Sequence, residues 1–171
     1  MGEAVTKNGG GERDTMPYRI AQYRLLLVKD GPAITTTWDR QVRQAKDVAD
    51  FMAPLAANAD RERFWCLMLN GKNTVIGLNL VSIGSLTATV VHPREFLKAL
   101  ILGNAAATIV VHNHPSGSPA PSAEDIALTR RLREVGDLVG IRLLDHIILG
   151  HDGSYCSLAD DGLISGEVSW K

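Results

Sequence analysis

The chain has 171 residues, of which 45% are apolar and 22% charged, and its 18 basic and 19 acidic side chains leave a net charge of -1. About 100–200 residues correspond to one domain, and this composition excludes both a disordered chain and a fibre. The near-zero charge argues against a protein that holds nucleic acid through bulk positive charge. Two cysteines are too few for a disulfide scaffold.

The N-terminal region and the absence of long apolar runs bear on localisation. No apolar run approaches the ~20 residues that a membrane-spanning helix needs. The first residues contain no apolar segment of the secretory type, so we expect a cytoplasmic protein without membrane contact. Residues 1–16 are polar and carry three consecutive glycines, which predicts a flexible N-terminal tail. Residues 17–171 are then expected to form a single domain.

The elements predicted after the tail begin with a strand over residues 18–29. An amphipathic helix of about 18 residues follows, and Thr37 or Asp39 can cap its N-terminus. Residues 64–69 are almost wholly apolar, as expected of a strand that is buried on both faces. Residues 74–83 have the pattern of its hairpin partner.

The connection between these two strands begins with Asn70 and Gly71, a pair that predicts a primed turn with positive φ angles. The remaining predicted elements are a helix over residues 93–102, a strand over 107–111, a helix over 122–139, a strand over 141–149 and a short strand over 155–158. Strands and helices in this order, with at least one hairpin, predict an α/β fold with a mixed β-sheet flanked by helices.

One segment carries residues suited to metal chemistry. His112 and His114 stand two positions apart at the end of a predicted strand, so an extended backbone places both imidazoles on the same side. Asp125 lies in the first turn of the next predicted helix, and the Pro-rich loop can bring its carboxylate beside them. Two imidazole nitrogens and a carboxylate suit Zn²⁺ and leave a fourth position for water, the arrangement of catalytic zinc sites. Fe²⁺, Mn²⁺ or Co²⁺ could occupy a similar ligand set.

Each half of this pattern also has an ordinary structural interpretation. A pair of histidines two positions apart is by itself a weak sign of a metal, and Ser122 with Asp125 has the spacing of a capping box. Both signals together, on a strand, a loop and a helix N-terminus, favour a site. Ser122 serves both interpretations, because its hydroxyl can cap the helix and lie near the metal water.

The same segment resembles the JAMM motif of JAB/MPN metalloproteases, in which His-x-His is followed by seven residues and Ser-x-x-Asp. The resemblance to the RadC family is closer and extends over residues 40–160 through His92-Pro93-Arg94-Glu95, the run over residues 112–117, Thr129-Arg130 and Leu144-Asp145-His146. It implies a RadC-like domain of JAB/MPN (cytidine deaminase-like) architecture. It also implies Zn²⁺ held by His112, His114 and Asp125, and an upstream glutamate that activates water.

The residues alone leave three candidates for that glutamate: Glu62, Glu95 and Glu124. Glu124 lies about 100° around the helix from Asp125, and Glu95 stands in a first helical turn, where an acid complements the helix dipole. The resemblance selects Glu62, because JAMM proteins carry their glutamate just before an early strand.

The resemblance implies a zinc-dependent hydrolase that cleaves an amide or isopeptide bond in a peptide or protein substrate. Glu62 is then the general base and Ser122 a donor to the oxyanion. The alternative is a RadC-type DNA repair or recombination factor that acts through nucleic acid or a protein partner. The first 60 residues lack the helix-hairpin-helix pattern and the basic excess that would support it. A scaffold that has lost its ligands is a third hypothesis, against which the complete ligand set argues.

Other residues have weaker functional signals. His146 follows Asp145 in an apolar strand, and we expect a buried histidine that is hydrogen-bonded in the core or beside a ligand rather than a fourth ligand. His92 is expected to be structural and His151 to lie in a turn. At the position of Glu62, RadC-like chains usually read Gln-Glu-His-Phe, whereas this chain reads Arg-Glu-Arg-Phe.

Overall fold

The computed structural model describes residue 34 and residues 36–57, 59–84 and 91–164. The predicted tail over residues 1–16 and the predicted strand over residues 18–29 lie outside the described residues. The division into a tail and a single domain over residues 17–171 therefore stays a prediction. No helix within the described ranges has the length and apolar character needed to cross a bilayer.

Helices and strands alternate along the described residues. In chain order they are α1 (Ala45–Ala56), β1 (Arg63–Leu69), β2 (Val75–Ile83), α2 (Pro93–Leu102), β3 (Ala107–Asn113), α3 (Ala123–Leu138), β4 (Arg142–Leu149) and β5 (Tyr155–Ser157). The strands form one five-stranded sheet in the order β2-β1-β3-β4-β5. β3 and β4 are parallel and are connected through α3, whereas the other neighbouring pairs are antiparallel. The predicted α/β fold with a mixed sheet is confirmed.

Both faces of the sheet are covered by helices. On β1, the side chains of Trp65, Leu67 and Leu69 pack in the cluster that includes α1. The alternate side chains, Phe64, Cys66 and Met68, pack in the cluster that includes α2 and α3. This alternation follows from the two-residue period of a strand. It explains why β1 is apolar throughout, since burying each large apolar side chain stabilises the fold by roughly 1.5–3 kcal/mol.

The first helix is shorter than predicted, and neither Thr37 nor Asp39 caps it. α1 has 12 residues and begins after its N-cap, Gln44. The residues that precede it are engaged elsewhere, because Gln41 forms an antiparallel bridge with Thr74 at the start of the hairpin's return strand. A backbone that pairs with a strand does not adopt helical dihedral angles, so the helix starts later than the apolar periodicity indicates.

The hairpin between β1 and β2 is confirmed, but the predicted turn type is wrong. The positive φ angle lies at Asn73 (55°) and not at Asn70 or Gly71. The side-chain oxygen of Asn70 accepts hydrogen bonds from the backbone N–H groups of Lys72 (2.9 Å) and Thr74 (3.0 Å). The connection is therefore a longer loop held by an asparagine side chain, a common use of this residue in turns.

The central strand β3 extends two residues beyond its predicted end, to Asn113. His112 consequently lies within the sheet, level with Phe64 on β1 and Ile148 on β4. A helix that connects two parallel strands begins at the carboxyl end of the first strand. α3 therefore starts beside the end of β3, and its first turn carries Asp125 back to His112.

Candidate metal centre

The three predicted ligands, His112, His114 and Asp125, meet at the carboxyl end of β3. Each offers one ligand atom, and these atoms all lie within 4.8 Å of one another. The Nε2 atoms of the two histidines are 2.9 Å apart. Oδ1 of Asp125 lies 3.3 Å from Nε2 of His112, and Oδ2 lies 3.5 Å from Nε2 of His114. The structure thus brings together a donor set that could hold a metal ion.

Burial and mutual charge set the protonation of this group. Burial lowers the pKa of His112 to about 4, although the charge of Asp125 acts in the opposite direction. A hydrogen bond with Asp125 raises the pKa of His114, against the opposing effect of burial. Burial acts to raise the pKa of Asp125, but bonds from His114 and Ser122 and the charge of His112 together hold it below its ordinary value. Asp125 is therefore a carboxylate at neutral pH.

The hydrogen bonds of His114 show that its side chain fits a metal ion. Its Nδ1 lies 2.7 Å from the carbonyl oxygen of Ser118, and a carbonyl can only accept, so Nδ1 carries the hydrogen. In the neutral ring Nε2 is then bare, and this atom faces His112 and Asp125. Bare imidazole nitrogen and carboxylate oxygen are ligands that Zn²⁺ takes in proteins.

Ser122 caps α3 and contacts Asp125 through three hydrogen bonds. Its hydroxyl donates to Oδ2 at 2.6 Å, its backbone N–H donates to the same oxygen at 2.8 Å, and its Oγ accepts from the Asp125 N–H at 3.1 Å. The capping box predicted from the spacing is confirmed. The two interpretations of Asp125 are compatible, because Oδ2 caps the helix while Oδ1 faces His112.

Glu62 lies immediately before β1 and is half-buried. The antiparallel register pairs Phe64 with His112. Two residues before Phe64 and two residues after His112, the same register brings Glu62 level with His114. The charge of Glu62 contributes to the raised pKa of His114. The structure therefore places this glutamate within electrostatic reach of the three converging side chains.

The other two glutamates considered from the sequence have different surroundings. Glu95 forms ion pairs on the surface of α2 with Lys98 at 2.5 Å and Arg94 at 3.5 Å. Glu124 is exposed on the first turn of α3. Of the three, Glu62 is the one whose charge acts on His114.

Asn113 contributes to the site, although the motif that contains it indicated no role for its side chain. Its side-chain oxygen accepts from the Arg63 N–H at 2.9 Å, and its side-chain nitrogen donates to the Arg61 carbonyl at 3.1 Å. These bonds hold the backbone on both sides of Glu62. One feature of the sequence could have indicated this role, namely a polar residue between two histidines at the end of a strand. A buried amide needs hydrogen-bond partners.

The remaining histidines occupy the kinds of position that the sequence predicted. His146 is fully buried, and its Nε2 lies 2.7 Å from Nδ1 of His112. On its other side, Nδ1 of His146 lies 2.5 Å from Oγ1 of Thr129. His92 is the N-cap of α2, and His151 lies in the turn between β4 and β5. The sequence indicated Thr129 only as part of the Thr129-Arg130 motif. Its contact with His146 was not predictable from the spacing of residues.

A groove of about 650 Å³ opens beside His114. α1 lines one side of the groove through residues that include Ala49 and Ala53, and the turn between β4 and β5 lines another side. Asn113 and His114 line the groove where it meets the candidate metal centre. A chain segment in this groove would therefore pass directly beside the candidate metal centre.

A mixed sheet covered by helices on both faces, with histidines and an aspartate that could hold a metal where the central strand meets the next helix, is consistent with a JAB/MPN domain. The family model of the RadC-like JAB domain matches residues 42–163. The chain belongs to this family.

Curated relatives are about half identical to this chain over the aligned residues. A "UPF0758 protein" of Desulforudis audaxviator is 50% identical over 126 residues, which cover 74% of this chain and 54% of the relative. The corresponding protein of Methanosarcina mazei is 48% identical over 125 residues, covering 73% and 54%. That of Syntrophotalea carbinolica is 54% identical over 104 residues, covering 61% and 45%. The chain thus spans about half the length of the curated relatives it matches.

Proposed function

We propose that this chain is a zinc-dependent hydrolase of the JAMM type that cleaves an amide or isopeptide bond in a peptide or protein substrate. The supporting observation is the convergence of His112, His114 and Asp125, whose ligand atoms lie within 4.8 Å of one another. Glu62 adds a carboxylate whose charge reaches this group. Metal ligands beside a further carboxylate form the minimum set for metal-assisted hydrolysis.

His112 and His114 would hold the ion through Nε2, and Asp125 through its carboxylate. When bound, Zn²⁺ acidifies water and polarises a carbonyl group. The protein's own contribution begins with burial: His112 is fully buried, and its neutral ring remains available as a ligand because burial lowers its pKa to about 4. The groove beside His114 receives the substrate chain.

Glu62 carries the proton in the proposed reaction. Its carboxylate takes a proton from the attacking water and returns it to the nitrogen of the departing amine. Asn113 supports this role, because its two hydrogen bonds hold the backbone on either side of Glu62. The role requires a carboxylate that is not itself a metal ligand, which agrees with the place of Glu62 immediately before β1, outside the group formed by His112, His114 and Asp125.

Ser122 stabilises the charge that develops on the substrate carbonyl oxygen. Its hydroxyl donates to Asp125 in this structure, and a hydroxyl can rotate to a new acceptor. In the proposed reaction it donates to the oxyanion of the tetrahedral intermediate. A donor of this kind contributes about 10²–10³-fold to turnover in other hydrolases.

Metal analysis of the purified protein tests the ligand set. We expect about one zinc per chain in the wild type and none in His114→Ala, because the variant lacks one of three ligands. His151→Ala is the matched control, since His151 is an exposed turn histidine beside the same groove. Unchanged zinc content in His114→Ala contradicts the site, and iron, manganese or cobalt in place of zinc contradicts the choice of metal.

Cleavage of a mixed library of internally quenched peptides tests the reaction. Glu62→Gln is expected to lower turnover about 10²–10⁴-fold while zinc is retained, because the general base is lost. Glu95→Gln is the control, since Glu95 is a partly exposed acid paired with Lys98. Equal loss in both variants, or no cleavage by the zinc-loaded wild type, contradicts the proposed activity.

The alternative function through nucleic acid is tested separately. We expect no association when the protein is titrated with duplex DNA at low salt. A net charge of -1 does not attract the chain to DNA phosphates. Binding at low salt that weakens at high salt supports the DNA-associated alternative instead.

A further inference from the structure

We propose that Thr129 and His146 select the tautomer of His112, so that the Nε2 atom of His112 stays free of hydrogen and available to a metal ion. The inference rests on the proposed metal centre, but the hydrogen-bond chain that carries it belongs to the metal-free protein. Thr129, His146 and His112 are all fully buried. No bulk water is therefore available to replace a missing partner, and each hydrogen must be accounted for within the chain.

The chain starts at Thr129. Its hydroxyl donates to the backbone carbonyl of Asp125 at 2.6 Å, and a hydroxyl has a single hydrogen. The same oxygen lies 2.5 Å from Nδ1 of His146. Because the threonine hydrogen is already engaged, this second contact is a hydrogen bond only if Nδ1 of His146 donates. His146 is thus protonated at Nδ1.

The second step fixes His112. A neutral imidazole protonated at Nδ1 has a bare Nε2, which accepts a hydrogen bond. Nε2 of His146 lies 2.7 Å from Nδ1 of His112, so His112 is the donor and carries its hydrogen on Nδ1. Its Nε2 is then bare, and that atom faces Oδ1 of Asp125 at 3.3 Å.

The opposite arrangement leaves two defects. With its hydrogen on Nε2, His146 would donate to His112 and force the hydrogen of His112 onto the nitrogen that faces Asp125, which blocks a metal. The single hydrogen of Thr129 would then serve either Nδ1 of His146 or the Asp125 carbonyl, and the other of these two close contacts, at 2.6 or 2.5 Å, would have no hydrogen between its atoms. A buried acceptor without a donor costs about 1–3 kcal/mol. In the metal-ready tautomer the bare Nε2 atoms of His112 and His114 lie 2.9 Å apart, a contact that a cation between them satisfies. The contacts of Thr129 and His146 favour this tautomer.

Thr129→Val tests the proposal, because it keeps the side-chain shape and removes the hydroxyl. Zinc affinity, measured by competition with a chromophoric chelator, is expected to fall about 10–100-fold, the usual effect of losing a partner of a metal ligand. Thr129→Ser restores the hydroxyl and is expected to restore the affinity. Thr108→Val is the matched control, since Thr108 is an equally buried threonine on β3 whose hydroxyl donates to the Leu67 carbonyl.

A second pair of variants addresses His146. His146→Gln can present an oxygen where Nε2 lies and accept from His112, whereas His146→Leu cannot. We expect affinity close to the wild type for the first and a loss of about 10–100-fold for the second. Thermal unfolding of each metal-free variant shows whether it is folded, and only folded variants are compared.

Nitrogen NMR of the imidazoles in the metal-free protein gives a direct readout that a purely structural role would not change. The wild type is expected to show His112 and His146 protonated at Nδ1, and Thr129→Val is expected to shift both toward Nε2. His112 protonated at Nε2 in the wild type, or wild-type zinc affinity in Thr129→Val, overturns the proposal. A wild type that binds no zinc overturns the proposed function instead, and the NMR measurement still decides the tautomer.

Discussion

The helices α1 and α3 begin with the same hydrogen-bonded arrangement, but the aspartate that caps each helix has different tertiary neighbours. At α1, the Asp47 carboxylate accepts from the backbone N–H groups of Gln44 (3.2 Å) and Arg43 (2.8 Å). At α3, the Asp125 carboxylate accepts from the Ser122 N–H at 2.8 Å. Both aspartates stand at the third helical position, where an acid satisfies free N–H groups and complements the helix dipole.

The difference lies in the surroundings of the second carboxylate oxygen. Within the described residues, the Asp47 carboxylate forms hydrogen bonds only with residues at the start of its own helix, including the side chain of Gln44. Asp125 is buried, and its Oδ1 faces the His112 imidazole at 3.3 Å. α3 connects two parallel strands and so begins beside the end of β3, where the histidines lie. A capping aspartate thus becomes a candidate ligand through its tertiary neighbours.

The largest expected effect is the loss of metal binding in Asp125→Asn. The carboxamide can still accept from the helix N–H groups, but it lacks the charge that a divalent cation requires of this ligand. We expect zinc to be absent from the purified variant, whereas Asp47→Asn retains the wild-type content. Equal zinc content in the two variants would show that the two helix starts do not differ in function.

Substituting the cap residue of α3 separates capping from catalysis. Ser122→Ala is expected to lower turnover of a cleaved peptide about 10²–10³-fold, because an oxyanion donor is lost. Gln44→Ala changes the corresponding residue at α1 and is expected to leave turnover unchanged. If both substitutions reduce turnover equally, the effect of Ser122 arises from folding alone.

The pH dependence of zinc affinity gives the next smaller effect. The hydrogen bond with Asp125 raises the pKa of His114, so below that pKa a binding metal must displace one proton from it. The dissociation constant is then expected to rise about tenfold for each pH unit lost. His112, with a pKa of about 4, adds a second proton only in stronger acid. Isothermal titration calorimetry at several pH values between the pKa of His112 and the pKa of His114 measures this slope. The release of two protons for each zinc bound near pH 6 would contradict the expectation.

The smallest expected effect concerns the stability of α1. Asp47→Ala removes the acceptor for two backbone N–H groups and is expected to lower the free energy of unfolding by about 1 kcal/mol. Urea denaturation of the metal-free protein measures this change. A simultaneous loss of zinc affinity would indicate coupling between the two helix starts, which the structure does not predict.

Elements that depend only on residues close together in the chain were predictable from the sequence. The apolar run of β1 indicated burial on both faces, and Trp65 and Phe64 do pack on opposite sides of the sheet. The start of α1 was not predictable, because Gln41 is withdrawn from the helix by pairing with Thr74, which lies 33 positions further along the chain. Apolar periodicity contains no information on such a distant partner.

The candidate site also has features that the sequence predicted and features that it did not. The spacing of His112, His114 and Asp125 is a local pattern, and the strand period with the helix start already indicated that they converge. The partners of His112 were not predictable, since His146 lies 34 positions away and reaches it through the pairing of β3 with β4. The hydrogen-bond chain to Thr129 depends on how α3 packs against that sheet.

The sequence alone thus determined the order of elements, the mixed sheet and the set of residues able to hold a metal, because periodicity and motif spacing depend on residues close together in the chain. Tertiary structure decided which oxygen of Asp125 caps the helix, that Asn113 supports the segment carrying Glu62, and which nitrogen of His112 bears hydrogen. These features depend on the polarity of hydrogen bonds between groups that only the folded sheet and its helices bring together.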